Sequence, residues 1–207
     1  MDIYEIFHSL QGEGTDIGLP TIFVRTASCN LRCEWCDTKY AWKGGKEIEI
    51  EKIKDKLDEI ECQRVCITGG EPLLQDDLIK LVDMLLPKYE LSIETNGSLD
   101  ISEIVEKDLK VSMDYKTPSS KMEDEMKQDN LPFLRKRDQL KFVISDRDDY
   151  EFSKKILERF DLRCEIVFQT EESIDIKELA EYVLEDRLEV RVLPQLHKII
   201  WADQKGV

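Results

Sequence analysis

The chain has 207 residues, 41% of them hydrophobic and 36% charged, and carries a net charge of −15 at neutral pH. That length holds one domain with a substantial core, and the composition is that of a soluble globular protein. An acidic excess without a basic block argues against nucleic acid or an anionic membrane as partner, because both are bound by neutralising phosphate.

No apolar stretch approaches membrane-spanning length, and residues 1–5 lack the basic region and apolar run of a signal peptide. Six cysteines without such a signal suit a reducing compartment, with metal or catalytic thiols in place of disulfides. The expectation is a cytoplasmic protein whose residues 1–207 form a single domain, with no linker or internal repeat.

Residues 2–9 read as a short strand. Leu10-Gln11-Gly12-Glu13-Gly14 then breaks the pattern: two glycines around a carboxylate suit a tight turn whose backbone can approach a ligand, or a plain hairpin loop. Residues 21–26 form the first convincing strand, β-branched and aromatic. Arg25 interrupts that apolar run and, if buried, needs a carboxylate partner; an edge-exposed arginine is the alternative.

The strand runs into Cys29, Cys33 and Cys36, spaced C-x3-C-x2-C and followed by Asp37 and Thr38. Thiolates suit zinc, copper(I) and iron–sulfur clusters. A structural zinc site closes four ligands, and Cys62, Cys66 or His8 would have to complete one through the fold. A four-iron cluster held by three thiolates keeps one iron open for a ligand that is not protein.

Ile50, Ile53, Leu57 and Ile60 recur at helical spacing and predict an amphipathic helix over 48–61. A strand at 64–68 ends in Gly69-Gly70-Glu71-Pro72, and a glycine pair there exposes backbone groups to a ligand. A helix carrying Leu78, Ile79, Leu81, Val82 and Leu85 follows. Further strands are predicted at 91–95, 109–113, 139–144 and 165–169, with helices around 101–106, 149–160 and 175–187.

Alternation of strand and helix implies a parallel sheet with right-handed crossovers. About six strands are too few for an eight-unit barrel, so the expected fold is α/β, an open partial β/α barrel. Ligands of such folds gather at the C-terminal ends of the strands. Arg25, the cysteine loop, Thr68 to Gly70, Glu94 to Asn96, Ser112 and Gln169 would share that mouth. Residues 115–132 read as a solvated insertion or a mobile lid. The apolar tail, 192–201, should pack back on the body, with His197 structural or catalytic. Cys66 lies in an apolar strand, so core packing is the preferred reading of Cys62 and Cys66 over an auxiliary cluster; Cys164 has no assigned role.

The cysteine spacing with Trp35, together with Gly69-Gly70-Glu71-Pro72 one helix and one strand later, resembles the radical S-adenosylmethionine superfamily. Adding Ser9-Leu10-Gln11-Gly12-Glu13-Gly14, Phe23-Val24-Arg25 and Leu193-Pro194-Gln195-Leu196-His197-Lys198, the chain resembles the 7-carboxy-7-deazaguanine synthase family nearly end to end. The resemblance implies a lyase that turns 6-carboxy-5,6,7,8-tetrahydropterin into 7-carboxy-7-deazaguanine with loss of ammonia, towards queuosine or archaeosine. The radical is delivered by the cofactor, so no catalytic side chain is implied.

Carried onto this sequence, Cys29, Cys33 and Cys36 would hold a [4Fe–4S] cluster. Trp35, Cys36, Asp37, Gly70, Ser112, Met113, Asp114 and Gln169 would seat S-adenosylmethionine, and Leu10, Gln11, Gly12, Arg25 and Thr68 would surround the pterin. Thr38 would contribute to a magnesium site. A homodimer and an electron donor such as flavodoxin or ferredoxin are implied as well. Two departures stand out: Asp114-Tyr115-Lys116-Thr117-Pro118 replaces a shorter Lys-Pro-like element, and Thr170 stands where a proline is expected. A glycyl-radical-enzyme activase and a zinc-stabilised, non-catalytic binding module are the alternative readings.

Overall fold

The computed structural model describes residues 1–171, 173–202, 204 and 206. Its centre is one sheet formed by β1 (Asp2–Leu10), β2 (Pro20–Thr26), β3 (Lys46–Glu47), β4 (Arg64–Gly69), β5 (Glu90–Thr95), β6 (Lys110–Asp114), β7 (Gln139–Ile144), β8 (Glu165–Thr170) and β9 (Arg191–Leu193). The spatial order is β3-β1-β2-β4-β5-β6-β7-β8-β9. From β2 to β9 each neighbour runs parallel, whereas β1 pairs antiparallel with β2 and with β3. The partial parallel barrel expected from the sequence is present, extended by an antiparallel edge and by β9. Strands β3 and β9 span two and three residues, too short to leave a period in the sequence.

The helices α1 (Ile50–Asp58), α2 (Leu78–Leu85), α3 (Ser102–Val105), α4 (Arg147–Arg159) and α5 (Ile176–Asp186) fill the crossovers, and α6 (Leu196–Trp201) follows β9. Side chains two apart on a strand share a face. Val24, Ile67, Ile93, Val111, Met113, Leu140, Phe142 and Phe168 pack into the core with Ile53 and Leu57 of α1, Leu81, Val82 and Leu85 of α2, and Leu179 of α5. Each such side chain contributes about 1.5–3 kcal/mol by leaving water.

The intervening positions form the other face. Register sets Arg25 beside Thr68, Glu94 beside Ser112, and Asp114 beside Lys141. The alternation that builds the core therefore also concentrates charge inside the barrel.

Residues 115–132 differ from the expected solvated segment. They form the 3-10 turns Pro118–Ser120 and Glu123–Glu125 and enter a third, Gln128–Phe133. Tyr115, Thr117, Ser120, Asn130 and Leu131 are buried. Their polar groups serve the backbone: Asn130 donates to the carbonyls of Gly97 and Leu99, and Thr117 donates to that of Val143. Buried polar atoms with partners cost little, so a polar composition here does not mean exposure.

Candidate active site

A cavity of about 490 Å³ opens at the C-terminal ends of the parallel strands. Leu10, Gln11, Gly12, Arg25, Cys29, Cys33, Trp35, Cys36, Asp37, Thr38, Thr68, Gly70, Ser112 and Asp114 all line it. Met113 and Gln169 do not. Met113 is fully buried on the core-facing side of β6, and Gln169 is fully buried while donating to the carbonyl of Pro194 at 3.1 Å. Met113 supports the wall from behind, whereas Gln169 shares the inner-face parity of Val143 and is covered by the chain at Pro194.

The cysteine loop is held by main-chain bonds. Ser28 N donates to Ala41 O at 2.9 Å, and Glu34 N donates to Ser120 O at 3.1 Å. From the next strand, Gly70 N reaches Thr26 O at 3.1 Å and Glu71 N reaches Ser28 O at 2.8 Å. The backbones are so close that a Cβ on Gly70 would lie 2.0 Å from the Ser28 carbonyl oxygen. Close approach therefore requires glycine at position 70, whereas a φ of 147° favours it at Gly69.

Glu71 closes the same seam. Fully buried, it accepts Leu73 N and the Thr95 hydroxyl on Oε1 and Asn96 N on Oε2, at 3.0, 2.8 and 2.7 Å. It joins the ends of β4 and β5. Burial raises its pKa, against the pull of those donors.

Cys29, Cys33 and Cys36 are free thiols. Burial pushes Cys29 up and Cys33 up to about 11, so a metal would have to displace their protons. Leu31 N and Asn96 Nδ2 lie 3.4 and 3.8 Å from the Cys29 sulfur. Among the described residues no three His, Cys, Asp or Glu side chains converge as ligands of one ion. A cubane needs no such convergence, because each thiolate caps a different iron. Three soft donors on one loop, facing a cavity and with N–H groups at one sulfur, fit an iron–sulfur cluster.

Across the cavity the wall is ionic. Arg25 Nε pairs with Glu5 Oε1 at 2.7 Å, and the guanidinium lies over the rings of Phe7 and Tyr40. The carboxylate partner expected for a buried Arg25 is thus Glu5. Gln11 Nε2 donates to Glu94 at 3.2 Å. Lys141, 4% exposed, pairs with Glu13 and lies 3.6 Å from Asp114, which also pairs with Lys116 at 2.9 Å.

Burial opposes the Lys141 charge, but Glu13, Asp114 and Glu94 outweigh it and raise its pKa well above the ordinary range. Burial also opposes the charge on Glu13, yet Lys141 and His197 hold its pKa at about 2. Glu94 moves the other way: burial raises it and Lys141 only partly offsets that.

The tail roofs this side. Leu196 N donates to Gly12 O at 2.9 Å, Gln195 Nε2 donates to Glu13 at 2.7 Å, and His197 Nε2 lies 3.8 Å from Asp37. His197 fills the space that a Cβ on Gly12 would need, its Nδ1 being 2.2 Å from that position. Trp35 Nε1 donates to Ser119, which donates in turn to the buried Asp149 at the start of α4.

Lys141 escaped the sequence reading. The signal was the one that singled out Arg25, a lone charge within an otherwise uncharged strand. Of the unassigned cysteines, Cys66 and Cys164 are buried, and Cys62 lies against the Pro20 carbonyl at 3.4 Å. None of the three lines the cavity.

The profile of the Radical SAM superfamily matches residues 23–160. A 7-carboxy-7-deazaguanine synthase of Thermoplasma acidophilum is 45% identical over 209 aligned residues, covering 100% of both chains. One of Koribacter versatilis is 37% identical, again across 100% of both. The crystal structure of QueE from Escherichia coli superposes with a TM-score of 0.78 at 26% identity, covering 95% of this chain and 94% of that one. The chain belongs to the 7-carboxy-7-deazaguanine synthase family of the radical S-adenosylmethionine superfamily.

Proposed function

We propose that the cavity at the strand ends binds a carboxylated pterin between Arg25 and the cysteine loop, and that residues 1–207 work as one domain around it. The protein is a radical S-adenosylmethionine lyase that converts 6-carboxy-5,6,7,8-tetrahydropterin into 7-carboxy-7-deazaguanine. The observation that carries the site assignment is geometric: three free thiols and a carboxylate-matching arginine line one void.

Cys29, Cys33 and Cys36 would hold the [4Fe–4S] cluster. Trp35, Asp37, Gly70, Ser112 and Asp114 would hold S-adenosylmethionine, which when bound supplies the hydrogen-abstracting radical. The protein's own part is to bind, orient and exclude water. Arg25, oriented by Glu5 at Nε, offers its terminal amines to the substrate carboxylate, a charge-assisted and bidentate match. Gln11, Gly12 and Thr68 present polar groups to the heterocycle, while Leu10 covers its apolar face. Glu94, held by Gln11 and driven by burial toward its neutral form, provides a carboxyl able to give or take a proton beside the ring.

Thr38 would add one oxygen to a magnesium ion shared with substrate and water, since magnesium keeps waters and needs few protein ligands. Electrons would come from a flavodoxin- or ferredoxin-like donor, and the working unit would be a homodimer in the cytoplasm. No described helix is long and apolar enough to cross a membrane.

Anaerobic turnover of reconstituted protein with reductant, S-adenosylmethionine, magnesium and the pterin, read by mass, tests this reading. The deazaguanine product is expected, stimulated by magnesium. Arg25→Ala should cut product formation while leaving iron content and uncoupled cofactor cleavage intact. Loss of iron in that variant would refute the substrate role of Arg25.

A further inference from the structure

Strand β7 places one ammonium where two parts of the cavity meet. Lys141 stands in a strand buried along its whole length. Its Nζ pairs with Glu13, on the turn that carries Gln11 and Gly12, and lies 3.6 Å from Asp114 at the end of β6. The second oxygen of Glu13 accepts the Gln195 amide, so the turn is anchored on both sides. Asp114 is less complete. Oδ2 meets Lys116 and Lys141, whereas Oδ1 is buried without a hydrogen-bond partner among the described residues. One cation thus serves a carboxylate on the pterin side and a carboxylate on the cofactor side.

We infer that Lys141 is a positioning residue that couples the two ligand sites, so that filling one tightens the other. The inference rests on the site reading above. A ligand N–H or O–H donated to Asp114 Oδ1 takes over part of that carboxylate's demand for positive charge. Lys141 is then drawn toward Glu13, which firms the turn bearing Gln11 and Gly12. Linkage makes the effect reciprocal: pterin binding that settles the turn must favour the ligand at Asp114 by the same factor.

A lysine that served folding alone would behave differently. A buried pair can be replaced by uncharged residues of similar volume with little loss, whereas removing one partner strands the other. The charge-free pair Lys141→Met/Glu13→Gln therefore separates stability from coupling.

The test measures equilibrium binding of S-adenosylmethionine to the anaerobic, cluster-loaded protein, with and without 6-carboxytetrahydropterin, alongside thermal unfolding. In the unaltered protein the pterin should tighten cofactor binding about fivefold or more. In Lys141→Met/Glu13→Gln each ligand should still bind alone and unfolding should stay cooperative, but the ratio should fall to unity. Asp114→Asn, which leaves the Lys141–Glu13 pair in place, should weaken the cofactor and abolish the ratio too; it decides the matter should the double variant not fold. An undiminished ratio in either folded variant overturns the inference, as does the absence of coupling in the unaltered protein. Failure of the unaltered protein to bind the pterin at all would instead overturn the site reading, and the inference with it.

Discussion

On the cysteine side of the mouth, the wall is held by main-chain bonds, a glycine in van der Waals contact with the neighbouring loop, and a carboxylate saturated by three donors. On the opposite side the elements are held by side-chain charge: Arg25 to Glu5, Lys141 to Glu13 and Asp114, Lys116 to Asp114. Main-chain seams fix one backbone directly against another, as Glu34 N does on Ser120 O. The ion pairs join side chains, the farthest being Lys141 to Glu13 across 128 residues, and they hold only while every partner is present. The first construction suits a loop that must present three thiols at set positions. The second suits a pocket that must meet a charged, heteroatom-rich substrate.

This contrast can be broken experimentally. Lys141→Met should be the most damaging single change, about 3–5 kcal/mol in denaturant unfolding, because it leaves buried carboxylates uncompensated. Much of that loss should return when Glu13→Gln is added. Gly70→Ala attacks the other side; forcing a methyl against the Ser28 carbonyl should cost about 1–3 kcal/mol. It should also lower iron per chain after reconstitution, which Lys141→Met/Glu13→Gln should not.

Acid sharpens the contrast through sign. Glu13 falls from an ordinary 4.5 to about 2 in the folded protein, so its contribution is complete above pH 4.5 and is lost as pH falls toward 2. Glu71 and Glu94 have raised pKa values and work in the opposite direction, gaining stability when protonated. Glu13→Gln should therefore flatten the acid limb of the stability curve, as followed by circular dichroism, and an unchanged limb would remove Glu13 from the account. The smallest effect belongs to Cys62→Ser. Its sulfur lies against the Pro20 and Arg64 carbonyls at the edge of the core, a hydroxyl can make the same bonds, and stability should shift by about 0.5 kcal/mol or less with iron content unchanged.

The same division explains what could be read from the sequence. The cysteine side is written in local strings, Cys29 to Thr38 and Thr68 to Pro72, whose residue types and spacing carry the chemistry. Their places at the C-terminal ends of predicted strands put Arg25, Thr68 and Ser112 at one mouth. The ionic side is assembled from residues far apart: Glu13, Glu94, Asp114 and Lys141 lie on four segments, and no local pattern says which carboxylate meets which ammonium. Met113 and Gln169 were named with their neighbours, yet Met113 falls on the opposite parity of β6 and Gln169 is engaged by Pro194. Residues 115–132 misled because composition reports polarity but not whether the polar groups find partners.

The roof over Gly12 and Glu13 is made by Gln195 and Leu196, and this orders events during synthesis. The cysteine loop leaves the ribosome early, whereas the tail that covers the opposite wall of the mouth is translated ~160 residues later, an interval of about ten to thirty seconds at ordinary elongation rates. For that time the three thiols belong to a nascent chain with no enclosed mouth, open to iron carriers and oxidants alike. Metal loading on the nascent chain meets a mouth with one wall still uncovered, whereas loading afterwards meets both walls in place.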